Sequence, residues 1–314
     1  MLAVGGAALA YSAVKMRQQN VLEDKTVPVM GVMSAFVFAA QMINFTIPGT
    51  GSSGHIGGGI LLAALLGAYP GLISISAVLL IQCLFFADGG LLALGCNLFN
   101  MGVLTCLVAY PLIFRPMLKK GITKPRLMLA SVLAAIFGLQ LGAFSVVLET
   151  LASGVTSLPF GSFALLMQPI HLAIGLVEGV VTGALLIFVY QARPELIHSV
   201  QNRVRIERSV PVRGVIIGLL LAAVLLAGGL SLFASAYPDG LEWSVGKVAG
   251  GEPASSGIAY RIADWIQSKT ALMPDYSTGA ASEAASTSGA GLIGGAIVLA
   301  LAAGTAFLLS RVKR

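Results

Sequence analysis

The residues best suited to binding a metal ion lie in a glycine-rich stretch that ends in a histidine. Residues 41–60 read QMINFTIPGTGSSGHIGGGI, and His55 is one of three histidines in the chain. An imidazole nitrogen is a common metal ligand, and small residues let the backbone approach a bound species closely. The small residues before this histidine are Gly49, Thr50, Gly51, Ser52, Ser53 and Gly54. The pattern predicts either a metal or small-solute site or a flexible turn that happens to contain a histidine.

A second polar group lies inside a strongly apolar segment. Its members occupy positions i, i+3, i+7 and i+10 on one helix face, and are Gln168, His171, Gly175 and Glu178. Ionisable side chains are costly in a membrane and usually face the bundle interior, so they indicate a second metal site, a proton relay or hydrogen bonds between helices. One histidine and one glutamate are too few ligands for a closed metal site. We therefore expect hydrogen bonding, beside a close-packed face formed by Gly175, Gly179 and Gly183.

Other polar residues lie near the ends of apolar segments. Asn97 and Asn100 form a patch for which interhelical hydrogen bonding is again expected. Asp88, in the segment FADGGL, lies at a helix boundary and predicts a helix cap. The three cysteines have no metal-type spacing and are expected to pack as small hydrophobic residues; they are Cys83, Cys96 and Cys106.

One enzymatic interpretation remains open from these residues. The segment Gly51-Ser52-Ser53-Gly54 has the G-x-S-G form of intramembrane serine proteases. In that alternative Ser53 would be the nucleophile and His171, on another helix, its base. The chain carries no CxxC or HExxH pattern of a soluble metalloenzyme.

The composition defines the environment in which these residues must be positioned. The chain is 57% hydrophobic and 10% charged, whereas soluble domains are roughly one quarter charged. Lipid forces backbone groups to pair within each segment, so helices are expected. We predict an all-α integral membrane protein, a bundle of about seven helices followed by a C-terminal two-helix hairpin with an external loop. The predicted segments are 2–14, 27–45, 56–69, 71–87, 91–114, 127–148, 163–190, 214–233 and 289–310, with Tyr69-Pro70-Gly71 separating the third from the fourth.

The distribution of cations predicts the orientation. Sixteen of the nineteen Lys and Arg residues lie in loops 15–26, 115–126 and 191–213 or in the C-terminal tail. The positive-inside rule makes these regions cytoplasmic in a multi-pass protein of the plasma, or inner, membrane. The N-terminus and the His55 loop are then extracytoplasmic, and the C-terminus is cytoplasmic. Loop cations facing anionic lipid account for the net charge of +6 without a nucleic acid partner.

The first apolar segment is short for a membrane span. Residues 2–14 would form about 20 Å of helix, against a hydrocarbon thickness of about 30 Å. The cations Lys15 and Arg17 follow this segment rather than precede it, so it does not have the pattern of a signal peptide. We therefore expect that residues are missing from the extracytoplasmic end of this helix.

Three segments carry a resemblance to a known family. They are GVMSAFVFAAQMINFTIPGTGSSGHIGGGILLAALLG, FADGGLLALGCNLFNMGV and HLAIGLVEGVVTG. Over residues 27–190 the chain resembles the CbiM/NikM family, the substrate-binding components of energy-coupling factor transporters for cobalt and nickel. The C-terminal hairpin, whose external loop begins with PDGLE at Pro238–Glu242, is similar to the family's small partner subunit CbiN/NikN. The chain thus resembles the fused NikMN-type proteins.

The resemblance implies that Ni2+ or Co2+ is held as transported substrate by nitrogens in near-planar geometry. In the family these nitrogens come from the N-terminal amine, from the amide and imidazole of the second residue, and from a loop histidine. His55 matches the loop histidine, whereas the start Met1-Leu2 departs from the family's Met-His. Nitrogen-only ligation suits Ni(II), and the fused architecture favours nickel over cobalt.

The resemblance also implies partners. It predicts a metal-capture subunit that works with a transmembrane coupling subunit and cytoplasmic ATPases, in metal supply that includes cobalamin biosynthesis. The chain has no G-x-x-x-x-G-K-[ST] motif for binding ATP itself. The predicted organisation is a metal-binding transmembrane domain, 1–190, a basic cytoplasmic linker, 191–213, and a PDGLE-type hairpin, 214–314.

Overall fold

The chain folds into helices of very different lengths and one short β-hairpin. The structure, a computed structural model, describes residues 1–19, 26–154, 158–202, 211–249, 257–277, 279 and 282–311. In these ranges the elements are α1 Leu2–Gln18, α2 Thr26–Gln41, β1 Phe45–Ile47, β2 Ser52–Gly54, α3 Gly59–Leu66, α4 Ala68–Phe86, α5 Gly90–Met117, α6 Lys124–Ser153, α7 Phe160–Ala192, α8 Pro194–Asn202, α9 Arg213–Gly228, α10 Gly240–Ala249, α11 Ile258–Thr270 and α12 Glu283–Arg311.

The described part of the chain confirms the predicted all-α membrane architecture. Six helical segments are long and apolar enough to cross a membrane: α4, α5, α6, α7, α9 with its 3-10 extension to Phe233, and α12 from Ala284. A seventh apolar helix, Val27–Gln41, is shorter. Within α5, residues Leu98–Phe114 form the wider π-type turns and include Pro111.

The predicted span 56–69 is wrong. The helix there is α3, whose eight residues extend only about 12 Å, less than half of the hydrocarbon thickness of about 30 Å. Every residue of α3 is buried. It is therefore enclosed by the other helices and does not cross the membrane alone.

The break between the third and fourth predicted segments is also misplaced. It lies at Gly67, where φ is 97° and ψ is 162°, and not at Tyr69-Pro70-Gly71. These three residues form the first turn of α4. Proline is tolerated there because the first amides of a helix have no intrahelical carbonyl partner.

Glycines bring α6 and α7 into close contact. A Cβ atom added at Gly175, Gly179 or Gly183 would lie 2.9, 2.4 or 3.1 Å from the Cα atoms of Ile136, Val132 and Met128, respectively. The backbones of the two helices therefore meet along the glycine face that the sequence predicts.

The C-terminal helices pack beside α2. A Cβ added at Gly31 would lie 2.9 Å from the Cβ of Ala303 on α12, and one added at Gly291 would lie 3.0 Å from the Cβ of Ala227 on α9. Only 22% of the span residues of α9 and of α12 are buried, against 78% in α4. The C-terminal pair is thus attached to the side of the bundle.

The helix ends form two groups. At the end that we call the basic end, Gln201 of α8 donates from Nε2 to the carbonyl of Arg115 at 2.9 Å, and the Tyr190 hydroxyl donates to the carbonyl of Ile122 at 3.2 Å. The helix α8 lies inside the predicted linker and buries Leu196 and Ile197. The opposite end, which we call the hairpin end, carries β1, β2 and the α4–α5 turn.

Candidate functional site

The glycine-rich stretch forms a small antiparallel hairpin. Strands β1 and β2 pair with Phe45 opposite Gly54 and Ile47 opposite Ser52. The turn contains Gly49 and Gly51, with φ of 79° and 78°, values that glycine adopts without strain. The Thr50 hydroxyl contacts the carbonyl of Ile47 and the hydroxyl of Ser52, both at 2.8 Å. The loop is an ordered element with its own hydrogen bonds.

The outer side of this hairpin is bound by the C-terminal part of the chain. The Ser53 amide donates to the carbonyl of Pro238 at 2.8 Å, and its hydroxyl donates to the carbonyl of Tyr237 at 2.7 Å. The Ser235 amide donates to the carbonyl of Asn44 at 2.8 Å. Residues 235–238 thus run against both edges of the hairpin, directly before the sequence Asp-Gly-Leu-Glu.

The Asp-Gly-Leu-Glu sequence has a local reason to fold next to the hairpin. Asp239 accepts from the amides of Leu241 and Glu242, both at 2.8 Å, which is an N-terminal cap for α10. Gly240 packs on α7, where an added Cβ would lie 2.6 Å from Ile170 and 3.3 Å from His171. The cap and the glycine together place the start of α10 against α7.

The inner side of the loop is held by a buried carboxylate. The amides of Gly57 and Gly58 donate to Oε2 and Oε1 of Glu178 at 2.7 and 3.0 Å. Glu178 is 0% exposed and lies near the middle of α7. The first amides of a helix have no intrahelical acceptor, and this carboxyl group satisfies two amides immediately before α3.

This contact corrects the expected position of the loop. The sequence predicts that the loop ending in His55 lies outside the lipid and that a membrane span begins at residue 56. Instead Gly57 and Gly58 meet the middle of α7, and Gly59 abuts Thr105 and the carbonyl of Met101 near the middle of α5. Irregular backbone at such depth requires internal partners, which Glu178 and the Gln41 amide provide; Gln41 Nε2 donates to the carbonyl of Gly57 at 2.9 Å.

His55 lies at the junction between the hairpin and this buried stretch. Its side chain is half-buried, and its Nδ1 lies 3.1 Å from the carbonyl of Ile56. When Nδ1 carries the proton and donates there, Nε2 keeps a lone pair for an ion. Asp88 and Glu178 both interact electrostatically with His55, so the site has two acidic neighbours.

His171, for which the sequence predicts hydrogen bonding between helices, is bonded within its own helix. The Nδ1 of His171 contacts the carbonyl of Met167, one turn earlier on α7, at 2.8 Å. Among the described residues no three His, Cys, Asp or Glu side chains are grouped to hold a metal ion. His171, Asp88 and Glu178 each interact electrostatically with His55, but these residues do not form a closed set of side-chain ligands around one position.

The remaining predicted polar residues serve contacts between helices. Asn100 Nδ2 donates to Oε2 of Glu149 at 3.0 Å, and the Ser145 hydroxyl donates to Oε1 of the same carboxylate at 3.0 Å. The Asn97 amide group lies against Gly89. These contacts join α5 to α6 and close the turn before α5.

Asp88 does not cap α5 as predicted. The helix begins after Gly89 without a side-chain cap, and Asp88 accepts from the hydroxyl of Tyr276 instead. Burial, together with the neighbouring carboxylate, raises the pKa of the Tyr276 hydroxyl well above its ordinary value. This tyrosine therefore stays protonated and donates to Asp88.

The serine protease interpretation finds no support in the geometry. The hydroxyl of Ser53 donates to the carbonyl of Tyr237, and the ring of His171 contacts the carbonyl of Met167. Both groups of the proposed pair are thus bound to main-chain carbonyls. A buried loop enclosed by long apolar helices, with a separate hairpin docked on it, instead characterises a multi-pass membrane protein.

Comparison with known proteins identifies the family. Residues 1–196 match CbiM, the cobalt uptake substrate-specific transmembrane region, and residues 213–311 match the PDGLE domain. This chain belongs to the CbiM family and carries a C-terminal PDGLE domain, so it is a transporter subunit and not an enzyme.

Several individual proteins are similar along most of the chain. A predicted fused nickel transport protein NikMN of Archaeoglobus fulgidus is 32% identical, covering 98% of this chain and 92% of that protein. The fused nickel transport protein NikMN of Rhodobacter capsulatus is 28% identical over 86% of this chain and 83% of its own length. The cobalt transport protein CbiM of Sorangium cellulosum is 30% identical over 55% of this chain and 77% of that protein.

A solved structure has a related fold. The crystal structure of a truncated transition metal transporter is 32% identical and gives a TM-score of 0.51, covering 61% of this chain and 94% of that chain.

Proposed function

We propose that this protein is the metal-capture subunit of an energy-coupling factor transporter that imports divalent transition metal ions. His55 supplies one imidazole nitrogen to the ion, and residues 49–54 shape and orient the site. The observation that carries the proposal is the position of His55, beside a loop that is held at mid-depth by Glu178 and Gln41.

Nickel is the favoured cargo. The fused relatives of Archaeoglobus fulgidus and Rhodobacter capsulatus are described as nickel transport proteins, although a cobalt transport protein is also similar. Imidazole and other nitrogen donors bind Ni(II) more tightly than Co(II) in the usual order of divalent metals. The metal content of the purified protein, after growth with equal concentrations of both ions, tests this preference; an excess of cobalt would contradict it.

The partners follow from the same proposal. A transmembrane coupling subunit and cytoplasmic ATPases would supply the energy, and they would contact the basic end, where Arg115, Gln201 and α8 are joined by hydrogen bonds. The N-terminus and the His55 loop face the extracytoplasmic side, and the C-terminus faces the cytoplasm. The functional units are 1–190 for metal binding, the linker 191–213, and the hairpin 214–314, which shapes the outer side of the loop and aids loading.

The proposal predicts the effect of removing the imidazole. His55→Ala, in the protein expressed from its own gene, should abolish nickel-dependent uptake into cells, because the loop loses its side-chain donor. His198→Ala is the matched control, since His198 is exposed on α8 at the basic end and should leave uptake unchanged. Near-normal uptake by His55→Ala at equal protein levels would exclude His55 as a ligand.

A further inference from the structure

A line of hydrogen bonds runs from the C-terminal unit into the loop that carries His55. It starts at the end of α4, where the Tyr276 ring stacks on Phe86 and its hydroxyl donates to Asp88 and interacts with the side chain of Gln82. Gln82 Nε2 donates to Oε1 of Gln41 at 2.9 Å. Gln41 Nε2 then donates to the carbonyl of Gly57, also at 2.9 Å. The line thus joins residue 276 to a position two residues after His55.

The chemistry of each member sets the direction of this line. Tyr276 gives its only proton to Asp88, so its oxygen can only accept from Gln82. The Nε2 group of Gln82 has two protons: one is donated to Oε1 of Gln41, and the second is available for the oxygen of Tyr276. The Nε2 of Gln41 is then left to donate to Gly57. If the side-chain amide of either glutamine rotated by 180°, its oxygen and nitrogen would exchange places, and the hydrogen bonds to both of its neighbours would be lost.

The two glutamines have few alternative partners. Gln41 is 3% exposed and Gln82 is 6% exposed, and they project from the apolar helices α2 and α4. Buried amide groups must be paired within the protein, and these two are paired with each other. A change at one end of the line is therefore transmitted to the other end and is not absorbed by water.

The placement of Tyr276 is enforced by its surroundings. Asp275 and Tyr276 both adopt positive φ, 50° and 59°, a conformation that non-glycine residues rarely take. The segment is held against the end of α4 because the amides of Leu272 and Met273 both donate to the carbonyl of Phe85, at 2.8 and 3.1 Å. The Tyr276 ring also stacks on Phe86, with centroids 4.9 Å apart.

We propose that Tyr276, Gln82 and Gln41 are positioning residues through which the C-terminal unit controls the geometry of the His55 loop from the inside. This role deepens the metal-capture function proposed above and rests on it. The contact with residues 235–238 fixes the outer side of the loop. The line from Tyr276 instead fixes the position of the Gly57 carbonyl, and with it the orientation of the residues that follow His55. If the segment 271–277 detached from the end of α4, His55 would become more mobile although its own contacts were not changed directly.

The test compares two tyrosines of the same external loop in the full chain. Tyr276→Phe removes the hydroxyl and keeps the stacking on Phe86, while Tyr260→Phe removes a hydroxyl from a residue that is 41% exposed on α11. Amide hydrogen exchange of the metal-free protein should become about five- to tenfold faster across residues 52–58 in Tyr276→Phe, as expected for one lost buried hydrogen bond. Tyr260→Phe should match the unmodified protein. Gln82→Leu, which breaks the line in its middle, should exceed Tyr276→Phe.

Titration with Ni2+ alone gives the second readout. Tyr276→Phe should weaken nickel affinity by a similar factor and shift the visible absorption of bound Ni2+, because the donor geometry changes, while Tyr260→Phe should alter neither.

Unchanged exchange across 52–58 in Tyr276→Phe would overturn the positioning role, even if His55→Ala abolishes nickel binding. If instead His55→Ala keeps its affinity while exchange rises in Tyr276→Phe, the proposed ligand fails and the hydrogen-bonded line stands. Gln82→Leu is compared only if this variant folds. The result for Tyr276→Phe is sufficient by itself to decide whether the hydrogen-bonded line positions the His55 loop.

Discussion

The two sides of the His55 loop are fixed in different ways. The outer side, β1 and β2, is held by neutral hydrogen bonds to residues 235–238, in a region where Thr46 and Pro48 are exposed to solvent. The inner side is held by the carboxylate of Glu178, which is fully buried and binds two successive amides. One side can separate from its partner at modest cost, and the other cannot. His55 lies between them, so its mobility is set by the weaker side.

This difference follows from the surroundings of each contact. A low local dielectric strengthens hydrogen bonds between buried groups. It also makes an unpaired buried amide costly. The inner contact is thus part of the bundle core, while the outer contact belongs to an attached unit. Substitutions on each side can test this contrast.

The largest effect is expected at Glu178. Glu178→Leu leaves the amides of Gly57 and Gly58 buried without an acceptor, at about 1–3 kcal/mol each. We expect the free energy of unfolding to fall by about 2–5 kcal/mol, seen as a lower midpoint of thermal denaturation in detergent. Glu195→Gln, at an exposed carboxylate of α8, should stay within about 0.5 kcal/mol. Equal midpoints for the two variants would show that the inner side is not anchored by the carboxyl group of Glu178.

An intermediate effect is expected where the hairpin meets α7. In Gly54→Ala the new Cβ would lie 2.5 Å from Cγ1 of Ile174, so the hairpin must move away from α7, at about 1–3 kcal/mol. Nickel uptake should fall as the loop shifts.

Gly49→Ala separates crowding from backbone strain. Gly49 has a φ of 79° and no atom within 4 Å of an added Cβ, so the substitution costs only the left-handed conformation, about 1–2 kcal/mol. We expect lower stability and a smaller loss of uptake than in Gly54→Ala, because an added Cβ at Gly49 contacts no part of α7. Equal loss of uptake in Gly49→Ala and Gly54→Ala would mean that the close packing on α7 has no special role.

The smallest effect is expected at Ser53. Ser53→Ala removes the bond from the hydroxyl to Tyr237 but keeps the amide bond to Pro238. The expected loss of stability is about 0.5–1.5 kcal/mol, with uptake close to normal in a cellular nickel assay. A severe loss of uptake would indicate that the outer contact, with residues 235–238, determines the geometry of the loop more than the inner contact with Glu178.

The membrane helices could be predicted because apolar runs are a local property of the sequence. The prediction of a span at 56–69 was wrong for a reason that the hydropathy of the segment does not show. A fully enclosed helix such as α3 is as apolar as a spanning one, and only its eight-residue length distinguishes them. The proline at position 70 misled the prediction of the break, since proline is neutral in the first turn of a helix.

The depth of the loop could not be read from local patterns. Gly57 and Glu178 are 121 positions apart, and one sequence carries no record of which helix face meets which loop. Glu178 was identified as costly in a membrane, but its partners were not. Gln41 and Gln82 were missed because each is a single amide in an apolar segment; paired polar residues on neighbouring apolar helices are the signal that could have revealed them.

The attachment of the C-terminal hairpin to the same chain has a consequence for how tightly it must bind. Residues 235–238 reach the β-hairpin through a few hydrogen bonds, and α9 and α12 bury only a fifth of their span residues. Covalent linkage gives the docking segment a local concentration on the order of millimolar. A contact with millimolar affinity, too weak to join two separate chains at cellular abundance, is then occupied about half of the time. Fusion therefore allows this contact to form and release repeatedly without the two units ever parting.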